Sequence, residues 1–217
     1  VTTGARLLLI TDGWDGDETV ARVGAALDAL PSGVAMVQLR AKSLEGRALF
    51  GAAEALRAVT RGRAALVVND RVDVALAAGA DGVHLPSAGL PAAVARRLGG
   101  PRFVVGVSTH SIDEIARAVA TGADYVAYGP VWPTASPGPK APPVGLGGLS
   151  RAVAAAGAVP LFALGGVDAS RAAAVVSVGA RVACIGAVLG RRDAAAAAAA
   201  LLTATTSPAA DAEHAAP

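Results

Sequence analysis

The chain has 217 residues, of which 53% are hydrophobic and only 3% aromatic, with a formal net charge of +2. That length suits one domain, or at most two, around a core of Val, Leu, Ile and Ala. Both signs of charge are interspersed, with no basic block and no alternation of bases with aromatics, which argues against nucleic acid as a partner. No run of 18 or more strongly apolar residues and no signal-peptide pattern is present, so the expectation is a cytoplasmic protein with no membrane partner.

In chain order, the first expected strand is ARLLLIT (5–11), which ends in Thr11-Asp12-Gly13, and the first expected helix is 17–30. The second strand, VAMVQLR (34–40), follows a Pro-Ser-Gly turn and is apolar until Gln38, Arg40 and Lys42 appear at alternate positions. In an extended chain such residues share one side, so an amide, a guanidinium and an ammonium converge there. A solvated strand end and an anion site both fit that pattern. Helix 44–61, strand ALVVND (65–70), helix 71–79 and strand DGVHLP (81–86) come next, then helix 90–98 and strand FVVGVS (103–108). Helix 111–121 opens on Ser111-Ile-Asp-Glu114, a capping box in which the serine caps a backbone amide and the glutamate reaches back. Strand YVAYGPV (125–131), helix 146–157, strand PLFALGG (160–166), helix 168–178, strand RVACIGAV (181–188) and helix 191–204 complete the pattern. Cys184, the single cysteine, lies within an apolar run and reads as an inert core thiol.

The strands are apolar almost throughout, as parallel strands covered on both faces should be. AAGADGVHL (77–85), ATGADYVAYG (120–129) and SVGARVACIG (177–186) repeat a helix end, Gly-Ala, a polar residue and a strand. Gly79, Gly122, Gly157 and Gly179 sit where helices should stop. Eight strands alternating with eight helices over this length predict a single (β/α)8 TIM barrel spanning residues 1–204, with the polar, aperiodic residues 205–217 as a disordered tail that includes His214. A doubly wound sheet is the rival, but no G-x-G-x-x-G follows the first strand.

Chemistry in such a barrel gathers at the C-terminal strand ends. Those ends carry Gln38, Arg40 and Lys42, then Asn69-Asp70, His84, Ser108, a loop with Thr134, Ser136 and Lys140, Gly165-Gly166, and Gly186. The glycines before the last two helices suit a phosphate cradle, or for Gly165-Gly166 a simple tight turn. With Arg40 and Lys42 across the mouth, two anionic groups fit, and one carboxylate between them suits magnesium. His84 is either a hydrogen-bonded structural histidine or, with Gln38, a group that orients a heteroaromatic ring. His110 reads as a surface residue, and Trp132 as a loop anchor or a wall over the substrate.

NDRVDVALAAGADGVHL (69–85), GVSTHSIDEIARAVATGADYVAYGPVWPT (106–134) and FALGGVDAS (162–170) resemble the thiamine phosphate synthase/TenI superfamily. Order, spacing and flanking sequence match across about residues 5–190. The resemblance implies a TIM barrel of thiamine biosynthesis. In the synthase, hydroxymethylpyrimidine diphosphate loses pyrophosphate and the nitrogen of a thiazole phosphate captures the pyrimidine cation. It further implies that Arg40 and Lys42 meet the diphosphate, Gln38 faces the pyrimidine, and Asn69 and Asp70 form the N-D pair with Asp70 a Mg2+ ligand. His84 and Ser108 match the pyrimidine pocket and its diphosphate edge, Thr134 and Ser136 the P-T-x-[TS] loop, and Gly165, Gly166 and Gly186 the thiazole phosphate cradle. Two positions depart from the synthase pattern. Gly89 stands where the second magnesium carboxylate is expected, which weakens the metal site. Pro137 stands where a lysine is expected, leaving Lys140 as the nearest cation. LPS after His84 looks more like the TenI branch of thiazole tautomerases, yet Pro130 stands where that branch can carry a histidine. The readings that follow are a synthase, a tautomerase, or a non-catalytic barrel that binds thiamine intermediates. A homodimer is compatible with each.

Overall fold

The computed structural model describes residues 4–134 and 142–206. Strands and helices alternate as β1 (Leu7–Ile10), α1 (Asp17–Asp28), β2 (Ala35–Leu39), α2 (Gly46–Thr60), β3 (Ala65–Asn69), α3 (Val72–Ala77), β4 (Gly82–Leu85) and α4 (Ala92–Gly99). The second half repeats the pattern with β5 (Val104–Thr109), α5 (Ile112–Ala120), β6 (Tyr125–Tyr128), α6 (Gly145–Ala156), β7 (Leu161–Ala163), α7 (Ala169–Ser177), β8 (Arg181–Cys184) and α8 (Ala194–Ala204). Every strand pairs in parallel with its chain neighbour, and β1 closes on β8 with Leu7 opposite Val182. The result is the TIM barrel that the alternation predicts. Most expected strands run past the observed ones at the mouth, where residues such as Arg40, Asp70, Gly165 and Gly186 belong to the loops; β5 instead extends one residue further, to Thr109.

Alternation along each strand divides the core in two. Leu7, Leu9, Val37, Leu39, Leu66 and Val68 face outward and pack with the helices. Leu8, Ile10, Met36, Val67, Val104, Tyr125, Phe162 and Ala183 face inward and fill the barrel. Cys184 is in the outer layer, where burial pushes its thiol up to about 12 and keeps it protonated.

The repeated Gly-Ala-Asp segments have a structural cause. Asp81 accepts from the Leu66 amide at 2.8 Å and pairs with Arg57 at 2.8 Å. Asp124 does the same one repeat later, with the Val105 amide at 2.7 Å and Arg96 at 2.5 Å. Each carboxylate thus ties a helix to the start of a neighbouring strand, at the end of the barrel away from the mouth. Arg181, the first residue of β8, occupies the corresponding sequence position and donates to Ala5 O at 2.7 Å. Gly79 and Gly122 end their helices at φ 62° and 86°, a conformation that glycine adopts without a Cβ penalty.

At α5 the Glu114 amide donates to Ser111 Oγ at 3.2 Å, while the Glu114 carboxylate accepts from the His110 amide, one residue before the cap. His110 is exposed, as its position predicts. At the C-terminal end Thr205 is buried, and Arg6 donates to its carbonyl at 2.6 Å and to its hydroxyl at 2.9 Å. The packed fold therefore runs past residue 204. The remainder of the expected tail, 207–217 with His214, lies outside the described residues.

Candidate active site

Above the apolar filling, the next inward positions are polar. Asn69 on β3 is in register with His84 on β4, and His84 with Gly106 on β5, while Ser108 lies one inward position further along β5. Gln38, only 2% exposed, donates from Nε2 to Asn69 Oδ1 at 3.1 Å. Its Oε1 is buried and has no hydrogen-bond partner among the described residues. An unpaired buried acceptor costs about 1–3 kcal/mol, which a ligand N–H recovers. His84, 3% exposed, meets Tyr125 through Nδ1 at 2.9 Å and Ser108 through Nε2 at 2.8 Å. Burial lowers its imidazole to about 4, so the ring is neutral at physiological pH. Four of the expected site residues, Gln38, Asn69, His84 and Ser108, are thus gathered as two hydrogen-bonded pairs.

The cations lie at the rim. Backbone pairing between β1 and β2 continues beyond the regular strands: Thr11 N donates to Gln38 O at 3.0 Å and Gly13 N to Arg40 O at 3.1 Å. The Thr11 hydroxyl accepts from the Arg40 amide at 2.8 Å and donates to the Arg40 carbonyl at 3.1 Å, fixing where this guanidinium emerges. Arg40 Nη1 donates to Asp12 Oδ1 at 3.2 Å. Lys42 is exposed and makes no ion pair among the described residues. Asp70, directly after β3, is exposed and is held at φ 65° by a turn in which its amide donates to His84 O at 2.9 Å. A non-glycine residue in the left-handed region is strained by about 1 kcal/mol, which this tie offsets.

The residues present define what metal the site can take. Among the described residues, no group of three or more His, Cys, Asp or Glu side chains converges to hold an ion. Gly89 closes a turn in which its amide donates to Pro86 O at 2.9 Å, and a Cβ there would lie 2.8 Å from the Pro86 ring. The turn therefore excludes a carboxylate at 89 as it stands, not merely lacks one. One carboxylate, Asp70, suits a magnesium that arrives already bound to phosphate oxygens and water.

The three expected cradle glycines have different surroundings. A Cβ at Gly165 would lie 2.6 Å from Pro130 Cα, and one at Gly166 would lie 2.8 Å from Trp132 Cβ. These two glycines let the β7 turn pack under the loop after β6, where Trp132 N donates to Gly165 O at 3.0 Å. Arg171 clamps the same corner, donating to Gly166 O at 2.6 Å with its guanidinium 5.2 Å from the Trp132 ring centroid. Trp132 is thereby a loop anchor. Gly186 is exposed with open space where its Cβ would be, and it lines a cavity of about 220 Å³ between the ends of β8 and β1. Thr11, Asp12, Asp15 and Arg22 line the opposite wall. Thr134 is exposed, while Ser136 and Lys140 lie outside the described residues.

Three participants were not expected from the sequence. Tyr125 reads there as an ordinary strand aromatic, and only the register places it inside the barrel beside His84. Asp12 and Arg171 become visible only as partners, of Arg40 and of the Gly166 carbonyl. For these two, a charged residue just past the end of β1 and another in the first turn of α7 were the sole signals.

The thiamine monophosphate synthase (TMP-TENI) family matches residues 7–188. A thiamine-phosphate synthase of Methanoculleus marisnigri is 46% identical over 183 residues, which cover 82% of this chain and 86% of that protein. One of Moorella thermoacetica is 44% identical over 169 residues, covering 77% and 80%. Among solved structures, a thiamine phosphate pyrophosphorylase from Pyrococcus furiosus superposes with a TM-score of 0.82 at 33% identity, covering 94% of this chain and 97% of that one. The chain belongs to the thiamine monophosphate synthase/TenI family.

Proposed function

We propose that this protein is a transferase that joins hydroxymethylpyrimidine diphosphate to a thiazole phosphate, forming thiamine phosphate and releasing pyrophosphate. The observation that carries the reading is the buried, unpaired Gln38 Oε1 two residues before the rim cation Arg40. Such a pair suits one ligand with an N–H donor at one end, such as an amino substituent on a heteroaromatic ring, and a polyanion at the other.

In this reading the bond between the pyrimidine methylene and the diphosphate oxygen breaks, and its electron pair leaves with the diphosphate. The thiazole nitrogen then gives its lone pair to the methylene carbon. Arg40, Lys42 and Ser108 take up the charge that develops on the leaving group, the kind of preorganised stabilisation that lowers such a barrier most. Gln38, Asn69 and His84 orient the pyrimidine. Beneath them Leu8, Met36, Val67, Tyr125 and Phe162 are fully buried, so water has no path to the cation from inside the barrel. Asp70 is the group that would hold magnesium, which, bound to the diphosphate, neutralises part of the leaving charge. Gly165, Gly166 and Gly186 are assigned to the thiazole phosphate, and Thr134, Ser136 and Lys140 to the loop beside it.

His84 bears on the tautomerase alternative. Its ring is buried, lowered to about 4 and engaged at both nitrogens, so it is a poor proton carrier near neutrality. The proposed reaction asks only that it stay neutral and oriented. Calorimetric titration of hydroxymethylpyrimidine diphosphate with and without magnesium, beside thiazole phosphate on the same preparation, tests the reading. Magnesium-dependent diphosphate binding is expected; binding of thiazole phosphate alone would overturn it.

A further inference from the structure

His84, Gly106 and Tyr125 are in register on three adjacent strands and face the barrel interior. A Cβ at Gly106 would lie 2.0 Å from Tyr125 Cζ and 2.4 Å from its hydroxyl oxygen. The missing side chain is what allows the phenol to lie across β5 and reach His84 Nδ1 at 2.9 Å. Phe162 steadies the tyrosine ring from the next strand, edge-on with centroids 5.4 Å apart.

The direction of this hydrogen bond follows from counting protons. Tyr125 is fully buried, and burial raises its phenol further above the ordinary value, so the O–H is intact. Among the described residues, His84 Nδ1 is the one acceptor within hydrogen-bond distance of that hydroxyl. A buried O–H left without an acceptor is costly, so its proton is donated to Nδ1. A neutral ring that accepts at Nδ1 carries its own proton on Nε2, and that N–H donates to Ser108 Oγ at 2.8 Å. A serine that accepts from histidine keeps its hydroxyl proton to give to a ligand.

We infer that Tyr125 is a positioning residue: it fixes the Nε2–H tautomer of His84 and so makes the Ser108 hydroxyl a dedicated donor toward a bound phosphate group. The tautomer assignment stands on the hydrogen-bond geometry and on the burial of both groups. The ligand-facing half rests on the proposed function, because it takes the diphosphate to lie at Ser108. Removing the tyrosine hydroxyl frees Nδ1 to take the proton. Nε2 then becomes an acceptor, the serine proton turns inward to it, and the ligand loses a donor.

The test is nitrogen-15 NMR of imidazole-labelled protein near pH 7.5, with His84→Gln assigning the His84 signals among the three histidines, alongside calorimetry with magnesium pyrophosphate. The parent is expected to show His84 protonated at Nε2, and Tyr125→Phe to show protonation shifted to Nδ1 with pyrophosphate affinity about tenfold weaker. In a Ser108→Ala background the same Tyr125→Phe change is expected to leave affinity unaltered. Protonation at Nδ1 in the parent overturns the inference even where the phenylalanine variant fails to fold. So does an unchanged tautomer in Tyr125→Phe. An Nε2–H parent that binds no pyrophosphate keeps the tautomer assignment and overturns the anion reading on which the serine's role depends.

Discussion

Arg40 Nη1 lies 3.2 Å from Asp12 Oδ1, so the guanidinium assigned to the diphosphate is already paired with a carboxylate of the neighbouring strand end. Arg40 is largely covered, its side chain 17% exposed, whereas Asp12 is 54% exposed. The pair holds Arg40 at the rim, but the aspartate also sets a negative charge beside an anion site. With one partner open to solvent, such a pair contributes little to stability. Asp12→Asn is expected to retain the fold and to tighten magnesium pyrophosphate binding a few-fold at low salt, the gain shrinking as salt screens it. Calorimetry at two ionic strengths checks this, and a weakened affinity would show that orientation of Arg40 outweighs the charge.

Truncating the arginine acts in the opposite sense. Arg40→Ala removes a charge-assisted contact and is expected to weaken diphosphate binding by about 1.5–3 kcal/mol while thiazole phosphate binding is kept. Titration of both ligands into the variant separates a local loss from a general one. Unchanged diphosphate affinity would remove Arg40 from the site.

The cradle is better probed at Gly186 than at Gly166. Gly166 has φ 67° and a Cβ there would press on Trp132, so valine at 166 would disturb the fold itself. Gly186 faces open space, and Gly186→Val is expected to leave thermal stability nearly unchanged while filling part of the cavity. A clear loss of thiazole phosphate affinity is the expected readout; parental affinity would place the phosphate elsewhere.

The buried imidazole makes stability depend on pH. The folded value, about 4, lies below the ordinary 6.5, so the unfolded chain binds the proton more tightly. The contribution of neutral His84 is complete above pH 6.5 and is lost as pH falls toward 4. Between pH 7 and 5 the parent is expected to lose about 2 kcal/mol more than His84→Gln. Urea unfolding of both proteins at the two pH values measures the difference, and parallel losses would contradict a buried, neutral histidine.

Asp124 accepts from the Val105 amide and pairs with Arg96, both partly buried. Asp124→Ala leaves an amide and a guanidinium without their partner and is expected to cost about 2–3 kcal/mol, seen as a lower urea midpoint. A change below about 0.5 kcal/mol would mean that the repeated Gly-Ala-Asp segment is not a structural tie.

Much of this was legible in the sequence, for physical reasons. Strands buried on both faces read as unbroken apolar runs, and helices end at glycines, so all sixteen elements and their order could be read. Gln38, Asn69, His84 and Ser108 were visible because polar residues interrupt those runs at strand ends. What could not be read depends on register and on neighbours distant in sequence. Tyr125 looks apolar in its own strand; its role arises because Gly106, nineteen positions earlier, leaves room beside it. Asp12 is a turn residue until β1 lies against β2. The exclusion of a side chain at Gly89 reflects the ring of Pro86 and not a missing charge alone.

The most direct test of the function is turnover. Purified protein is mixed with hydroxymethylpyrimidine diphosphate, thiazole phosphate and magnesium, and thiamine phosphate and pyrophosphate are measured together. The expected result is formation of both in equal amounts, abolished without either substrate and strongly reduced in Arg40→Ala. Binding of both substrates with no thiamine phosphate formed would contradict the assignment of this chain as a synthase.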